Sequence, residues 1–286
     1  MADGVFTQER ARAVVEAAGY PAAELLSFGE NAVFAAGRLV IKVGRTDLLD
    51  RARREVRTAD WLAKHDVPAV RSAESEVGLI GGHPVTYWQR LPESLRPAEP
   101  ADVAPLLRLV HALPEPDFGL PPRNLLGGVE RWLRLADDAI DPADAAFLRA
   151  RRDDFAAASA ELVPHLDRGP IHGDALPRNV HIGPDGPVLV DLETFSSDLR
   201  EHDLVVQTLS RDRYGVDPAA YDAFTDAYGW DVATWPGSTV LIAARETAGC
   251  AWVAQHAPAN PAARTEFRRR VNSLRAEDPT VRWYSF

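Results

Sequence analysis

One stretch constrains this chain more than any other: Ile171-His172-Gly173-Asp174-Ala175-Leu176-Pro177-Arg178-Asn179-Val180, followed by Val188-Leu189-Val190-Asp191-Leu192-Glu193. Asp174 and Asn179 stand five apart across a turn that contains Pro177, with Gly173 directly before the carboxylate. Asp191 ends a Val-Leu-Val strand that follows the turn Gly183-Pro184-Asp185-Gly186-Pro187. If the two flanking strands pair as a hairpin, a carboxylate, an amide and a second carboxylate converge. Oxygen donors of that kind suit Mg2+ on a nucleotide, and a carboxylate beside them suits orienting a hydroxyl for attack. Ordinary hairpins also use Asp and Asn for turn geometry, so the chemistry needs support from the rest of the chain.

Lys42 offers that support. It interrupts the apolar strand Leu39-Val40-Ile41-Lys42-Val43, and a buried ammonium needs an anionic partner. The next segment predicts a helix over 47–64, on which Leu48, Ala52, Glu55, Ala59 and Leu62 form one stripe with Glu55 its single charged member. Lys42 and Glu55 would then pair. The alternative is a solvent-facing lysine and a glutamate at the helix margin, a surface pair worth little. Before this, a helix over 7–18 closes at Gly19, and strands over 25–28, 32–36 and 39–43 make a meander at hairpin spacing, with Gly29-Glu30-Asn31 in its first turn. No Gly-x-Gly-x-x-Gly loop and no Walker A motif is present. A further hairpin joins 78–80 to 84–89, and after Arg90-Leu91 the composition shifts to Pro, Glu and Ala. A boundary there gives lobes 1–91 and 92–286, each long enough for its own core.

The second part reads as mainly helical, over 101–113, 125–136, 143–165 and most of 217–286, with a loop over 195–200 and a helix opening at Glu201. The segment 243–256 mixes Arg245, Glu246, Trp252, Gln255 and His256, and the run Arg268-Arg269-Arg270 reads as a solvated helix face.

His-Gly-Asp, four residues, Asn, then a hydrophobic strand ending in Asp resembles the signature of the aminoglycoside phosphotransferase family of small-molecule kinases. Family members usually place a bulky apolar residue, His, Pro and Gly between Asp and Asn, whereas this chain has Ala175, Leu176, Pro177 and Arg178. The resemblance implies an α+β, protein-kinase-like two-lobed fold, with an N-terminal antiparallel sheet lobe and a mainly helical C-terminal lobe. It implies an enzyme that moves the γ-phosphoryl group of ATP (or GTP) to a hydroxyl of a small molecule, an aminoglycoside or related amino sugar. The alternatives are another metabolite (a sugar, choline-like or homoserine-like) or a catalytically silent nucleotide-binding homologue. By the resemblance Asp174 is the catalytic base, Asn179 and Asp191 hold Mg2+, and Lys42, oriented by Glu55, meets the α and β phosphates. Gly29 and Asn31 fall where a loop would cover the phosphates, and Gln89, Arg90 and Leu91 fall at the adenine hinge by position. Asp203 would brace the catalytic loop. Asp198 and Glu201 are near enough in sequence to line a substrate mouth, and Trp252 and His256 are acceptor-pocket candidates because C-terminal helices shape that pocket in the family. A metal-dependent phosphoesterase built on His172, His181 and His202 would need an Asp-x-His and a Gly-Asn-His, and neither is present.

Composition narrows the partners. With 32 basic and 42 acidic side chains the net charge is −10, which argues against a general nucleic-acid binder. An acidic surface suits a cationic acceptor, and equally suits plain solubility. Cys250 is the only cysteine, so no intrachain disulfide or cysteine-based zinc site can form. Residues 1–6 carry neither a basic n-region nor an apolar h-region, and no apolar run reaches membrane-spanning length. The expectation is a cytoplasmic protein with a small-molecule partner and no membrane partner.

Overall fold

The computed structural model describes residues 6–284 and 286; the N-terminal segment considered above lies outside them apart from Phe6. The chain forms two compact units, Met1–Ala98 with Pro177–Phe195, and Glu99–Leu176 with Ser196–Phe286.

The first unit is built on an antiparallel five-stranded sheet. Helix α1 (Gln8–Ala17) precedes β1 (Glu24–Phe28), β2 (Ala32–Ala36) and β3 (Leu39–Val43); helix α2 (Leu49–Lys64) then leads to β4 (Gly78–Ile80) and β5 (His83–Gln89). The spatial order is β1-β2-β3-β5-β4. Register explains the two faces. Phe34, Ile41 and Tyr87 lie opposite one another, as do Ala32, Val43 and Val85, and all six join Ala11, Val14 and Val15 of α1 in one core. Because side chains alternate along a strand, Lys42 between Ile41 and Val43 is turned to the opposite face, where α2 supplies Glu55. Thr7 caps α1 by accepting from the Arg10 N–H.

The same unit takes in a second hairpin from much later in the sequence. Strand β7 (Val180–Gly183) pairs with β8 (Gly186–Leu189), Val180 opposite Leu189. The pairing runs to Gly183 and Gly186, tighter than the five-residue turn expected, because Gly186 takes φ +112° beside Pro184 and Asp185. The hairpin is tied to the segment after α2: Val70 donates to the Leu189 carbonyl and Leu189 to that of Pro68.

The second unit is mainly helical: α3 (Pro100–His111), α4 (Val129–Ala136), α5 (Pro142–Ala160), α6 (Glu201–Tyr214), α7 (Pro218–Tyr228), α8 (Ser238–Ala254) and α9 (Pro261–Arg275). Its core lies where α4, α5, α8 and α9 meet, around Leu133, Leu148, Cys250, Ala254, Phe267 and Val271, with Trp283 of the C-terminal segment folded in. Two expectations are corrected here. The stretch 195–200 is not all loop, since β9 (Ser196–Asp198) pairs with β6 (Gly169–Ile171); Ser-Ser-Asp has no apolar alternation, and tertiary pairing decides its state. Arg270 is not solvated either. It is buried, bonds Glu266 four residues earlier at 2.8 Å and lies over the Trp283 ring at 4.9 Å, while Arg268 and Arg269 remain exposed. Among the described residues no helix is long and apolar enough to cross a membrane.

Candidate active site

In the sheet unit a charged cluster grows around Lys42. Its Nζ lies 3.0 Å from both carboxylate oxygens of Glu55, and it also pairs with Glu193. Glu193 pairs in turn with Arg51 and accepts from the Asn31 amide at 2.6 Å. Asn31 can reach in because residue 44 is glycine: a Cβ there would stand 2.9 Å from Pro84 Cγ and 3.3 Å from Asn31 Oδ1. Burial pulls the Lys42 pKa down, but the charges of Glu55, Glu193 and Asp191 outweigh it, and the value ends above the ordinary one. Burial pushes Glu55 up to about 7; Lys42 opposes that rise and the charges of Glu193 and Asp191 add to it.

The proposed metal ligands belong to the same unit. Val190 N–H donates to the Asn179 carbonyl at 3.0 Å, which brings Asp191 next to the buried Asn179. Asp191 takes a left-handed conformation (φ 58°, ψ 65°), a strained setting that Asp tolerates better than most residues. One carboxylate oxygen each from Glu55, Asp191 and Glu193 fall within 4.8 Å of one another. The donor set is hard oxygen, and the charges of Glu193 and Asp191 add to the burial that lifts Glu55, so the residues fit a divalent cation such as Mg2+.

Asp174 lies in the helical unit, in a loop held from below. Gly173 has φ +85°, a conformation that favours glycine. Asp203 accepts from the N–H groups of His172 and Gly173, both at 2.7 Å, the bracing expected of it. His111 Nε2 lies 3.1 Å from Asp203 and its Nδ1 2.8 Å from the Tyr228 hydroxyl. Because a carboxylate only accepts, Nε2 carries the proton, and toward the neutral imidazole Tyr228 donates to Nδ1. Burial raises the Asp203 carboxyl, yet the His111 hydrogen bond and the His172 N–H outweigh it and the pKa falls below the ordinary range. From above, Arg245 donates to the Gly173 and His202 carbonyls at 2.8 and 3.1 Å, with Nη1 3.9 Å from the Asp174 carboxylate. Gln207 donates to the Ala175 carbonyl at 2.8 Å.

The other candidates separate. Gly29 N–H closes a tight turn on the Asn31 carbonyl. At the hinge, the N–H groups of Gln89 and Arg90 are taken by the Arg71 and Arg38 carbonyls; among the described residues no hydrogen bond engages that of Leu91. Asp198 accepts from Arg168 at 2.6 Å and from the Arg123 N–H at 3.1 Å. Glu201, expected near a substrate mouth, is corrected: it is 0% exposed and accepts from the N–H groups of His165 and Leu166, so it has no surface with which to meet a ligand. Trp252 meets His256 edge-on and both rings pack at a tilt against Phe286; Trp252 lies seven residues, about 10 Å along α8, beyond Arg245. Glu193 and Arg51 join the Lys42 cluster without having been singled out in the sequence, and Arg245, noted there only within the polar segment 243–256, joins the Asp174 loop. Arg51 had a signal, because it precedes Glu55 by four and shares its helix face.

A sheet unit carrying a Lys–Glu pair and an Asn/Asp hairpin, together with a helical unit carrying a braced Asp loop, defines the protein-kinase-like class of small-molecule phosphotransferases. The model of the Phosphotransferase enzyme family matches residues 29–239, and the chain belongs to that family. Its fold is similar to that of the amicoumacin kinase hAmiN in complex with AMP-PNP, Ca2+ and Ami (TM-score 0.72, 12% identity, 96% of this chain and 95% of that one). Choline kinase LicA from Streptococcus pneumoniae is also similar (TM-score 0.65, 16% identity, 89% and 93%). So is an aminoglycoside phosphotransferase from Streptomyces rimosus (TM-score 0.59, 19% identity, 82% and 96%). At these identities the likeness establishes the fold. No curated protein matches the sequence.

Proposed function

We propose that this protein transfers the γ-phosphoryl group of ATP to a hydroxyl of a cationic small molecule, of the amino-sugar or choline-like kind. The observation that carries the proposal is Lys42, held on the central strand β3 by both oxygens of Glu55 at 3.0 Å, in the unit that also carries Asn179 and Asp191. The acceptor class rests on the range of kinases that share the fold and on the net charge of −10.

In this reading residues 1–91 form the nucleotide-binding lobe and 92–286 the catalytic and substrate-binding lobe. The free Leu91 N–H meets the adenine edge beside Gln89, and the Gly29–Asn31 turn lies over the phosphates. Lys42 exchanges its Glu193 contact for phosphate oxygens while Glu55 keeps it in place. Asn179 and Asp191 hold Mg2+, which supplies charge neutralisation to the phosphates when bound. Asp174 orients the acceptor hydroxyl and takes its proton as the γ-phosphoryl group leaves ATP. Arg245, Asp203 and Gln207 hold the loop, so that little reorganisation accompanies the step.

Mg-nucleotide turnover against a panel of aminoglycosides, choline-like alcohols and sugars, with Asp174→Asn in parallel, tests the reading. Asp174→Asn should lower turnover by about a thousandfold and leave nucleotide affinity nearly unchanged. A variant that kept about a tenth of wild-type turnover would remove Asp174 from the role of base.

A further inference from the structure

The helical unit carries a second concave feature, away from the Asp174 loop in sequence. Arg108, His111, Leu166, Arg200, Tyr228 and Trp230 line most of an open cleft of about 460 Å³, within the range that holds a small organic ligand. No carboxylate lines it. That is unusual in a chain with ten more acids than bases, where arginines such as Arg149, Arg152, Arg213 and Arg270 all face a carboxylate.

The two cleft arginines differ from those. The Arg200 side chain makes no hydrogen bond or ion pair among the described residues, and its Nε is buried without a partner. Its guanidinium is nonetheless fixed, because it packs on Gly169, where a Cβ would stand 2.7 Å from Nη2. Glu201, next in sequence, is committed to His165 and Leu166. Arg108 has only a long 3.5 Å contact to the Ala227 carbonyl. A held, half-buried guanidinium without an acid carries an unmet desolvation cost, and a planar fork of this kind matches a phosphate or carboxylate. Apolar wall comes from Leu166 and from Trp230, which stacks on His165 with ring centroids 4.2 Å apart, and His111 and Tyr228 complete the lining.

We propose that this cleft is a second ligand site, for an anionic small molecule whose phosphate or carboxylate meets Arg108 and Arg200 and whose flat ring lies against Trp230 and Leu166. It is separate from the phosphotransfer reading and stands whether or not that reading holds. Tyr228, at its wall, donates to His111 and through it reaches Asp203, so a ligand here touches the support of the Asp174 loop.

Calorimetric binding of phenyl phosphate, benzoate and inorganic phosphate to the full chain, in saturating Mg-AMP-PNP, tests the site. Phenyl phosphate or benzoate should bind, the stronger of the two naming the head group, and inorganic phosphate should bind at least about tenfold more weakly because it lacks the ring. Arg108→Ala, an exposed position, should weaken the ring-bearing probe about tenfold. Gly169→Ala, which displaces the Arg200 guanidinium while leaving its charge, should do the same, and Arg200→Met should abolish binding. No binding of either ring-bearing probe at millimolar concentration would overturn the proposal. So would equal binding by wild type, Arg108→Ala and Gly169→Ala. Inorganic phosphate binding as tightly as phenyl phosphate would overturn the ring contact.

Discussion

The Lys42 cluster and the Asp203 network both bury carboxylates, and they do so in opposite ways. Around Lys42 three acids, Glu55, Asp191 and Glu193, share two cations, Lys42 and Arg51, and burial, with the neighbouring acids adding to it, lifts Glu55 to about 7. Around Asp203 a single acid meets two backbone N–H groups and one histidine, and its pKa falls. The first arrangement holds excess negative charge that an added cation would relieve; the second is satisfied by the chain itself. A binding site must leave something for its ligand to complete, whereas a brace must not.

Two substitutions can break this contrast, the larger first. Lys42→Met should lower kcat/KM by about a thousandfold, about 4 kcal/mol, with little loss of thermal stability, because Arg51 still meets Glu193 and Glu55, already lifted to about 7, takes up a proton. Asp203→Asn should do the reverse. It leaves buried donors at His172 and Gly173 poorly matched and should destabilise the fold by about 3 kcal/mol, read by denaturant unfolding. If Lys42→Met proved the more destabilising of the two, the division between ligand site and brace would not hold.

The parts of this architecture legible in the sequence were those written in local pattern. Lys42 showed because it broke an apolar strand, Glu55 because it broke an apolar helical stripe, and the Asn179–Asp191 hairpin because its turn residues are strong signals. What stayed hidden depends on contacts between distant segments. Glu193 meets Asn31 across 162 positions and Arg245 meets Gly173 across 72; no periodicity joins such pairs. The burial of Arg270 needed Trp283, which arrives on an irregular C-terminal segment. Glu201 was a candidate by nearness in sequence, and only the fold shows the His165 and Leu166 N–H groups taking up its carboxylate.

The pH dependence of stability sharpens the contrast further, because the two units titrate with opposite sign. Burial, aided by the nearby Arg245 charge, pushes His202 down to about 4. Between its ordinary 6.5 and about 4 the unfolded chain binds a proton that the native chain refuses, so stability is full above 6.5 and falls as pH drops through that window. Melts of His202→Gln across this pH range should lose about 3 kcal/mol of that pH dependence.

Glu55 runs the other way. Its native pKa of about 7 exceeds its ordinary 4.5, so the native chain keeps a proton that the unfolded chain has released. The contribution is full below 4.5 and is lost as pH rises toward 7. Glu55→Gln should remove an opposing contribution of similar size, about 3 kcal/mol, because its pKa stands as far above the ordinary value as that of His202 stands below. The Glu55 slope should also flatten when Mg2+ and AMP-PNP are added, since a cation among Glu55, Asp191 and Glu193 favours the ionised form, while the His202 slope should stay as it is. Equal response of both slopes to Mg2+ and nucleotide would mean that the acid cluster is not where the cation acts.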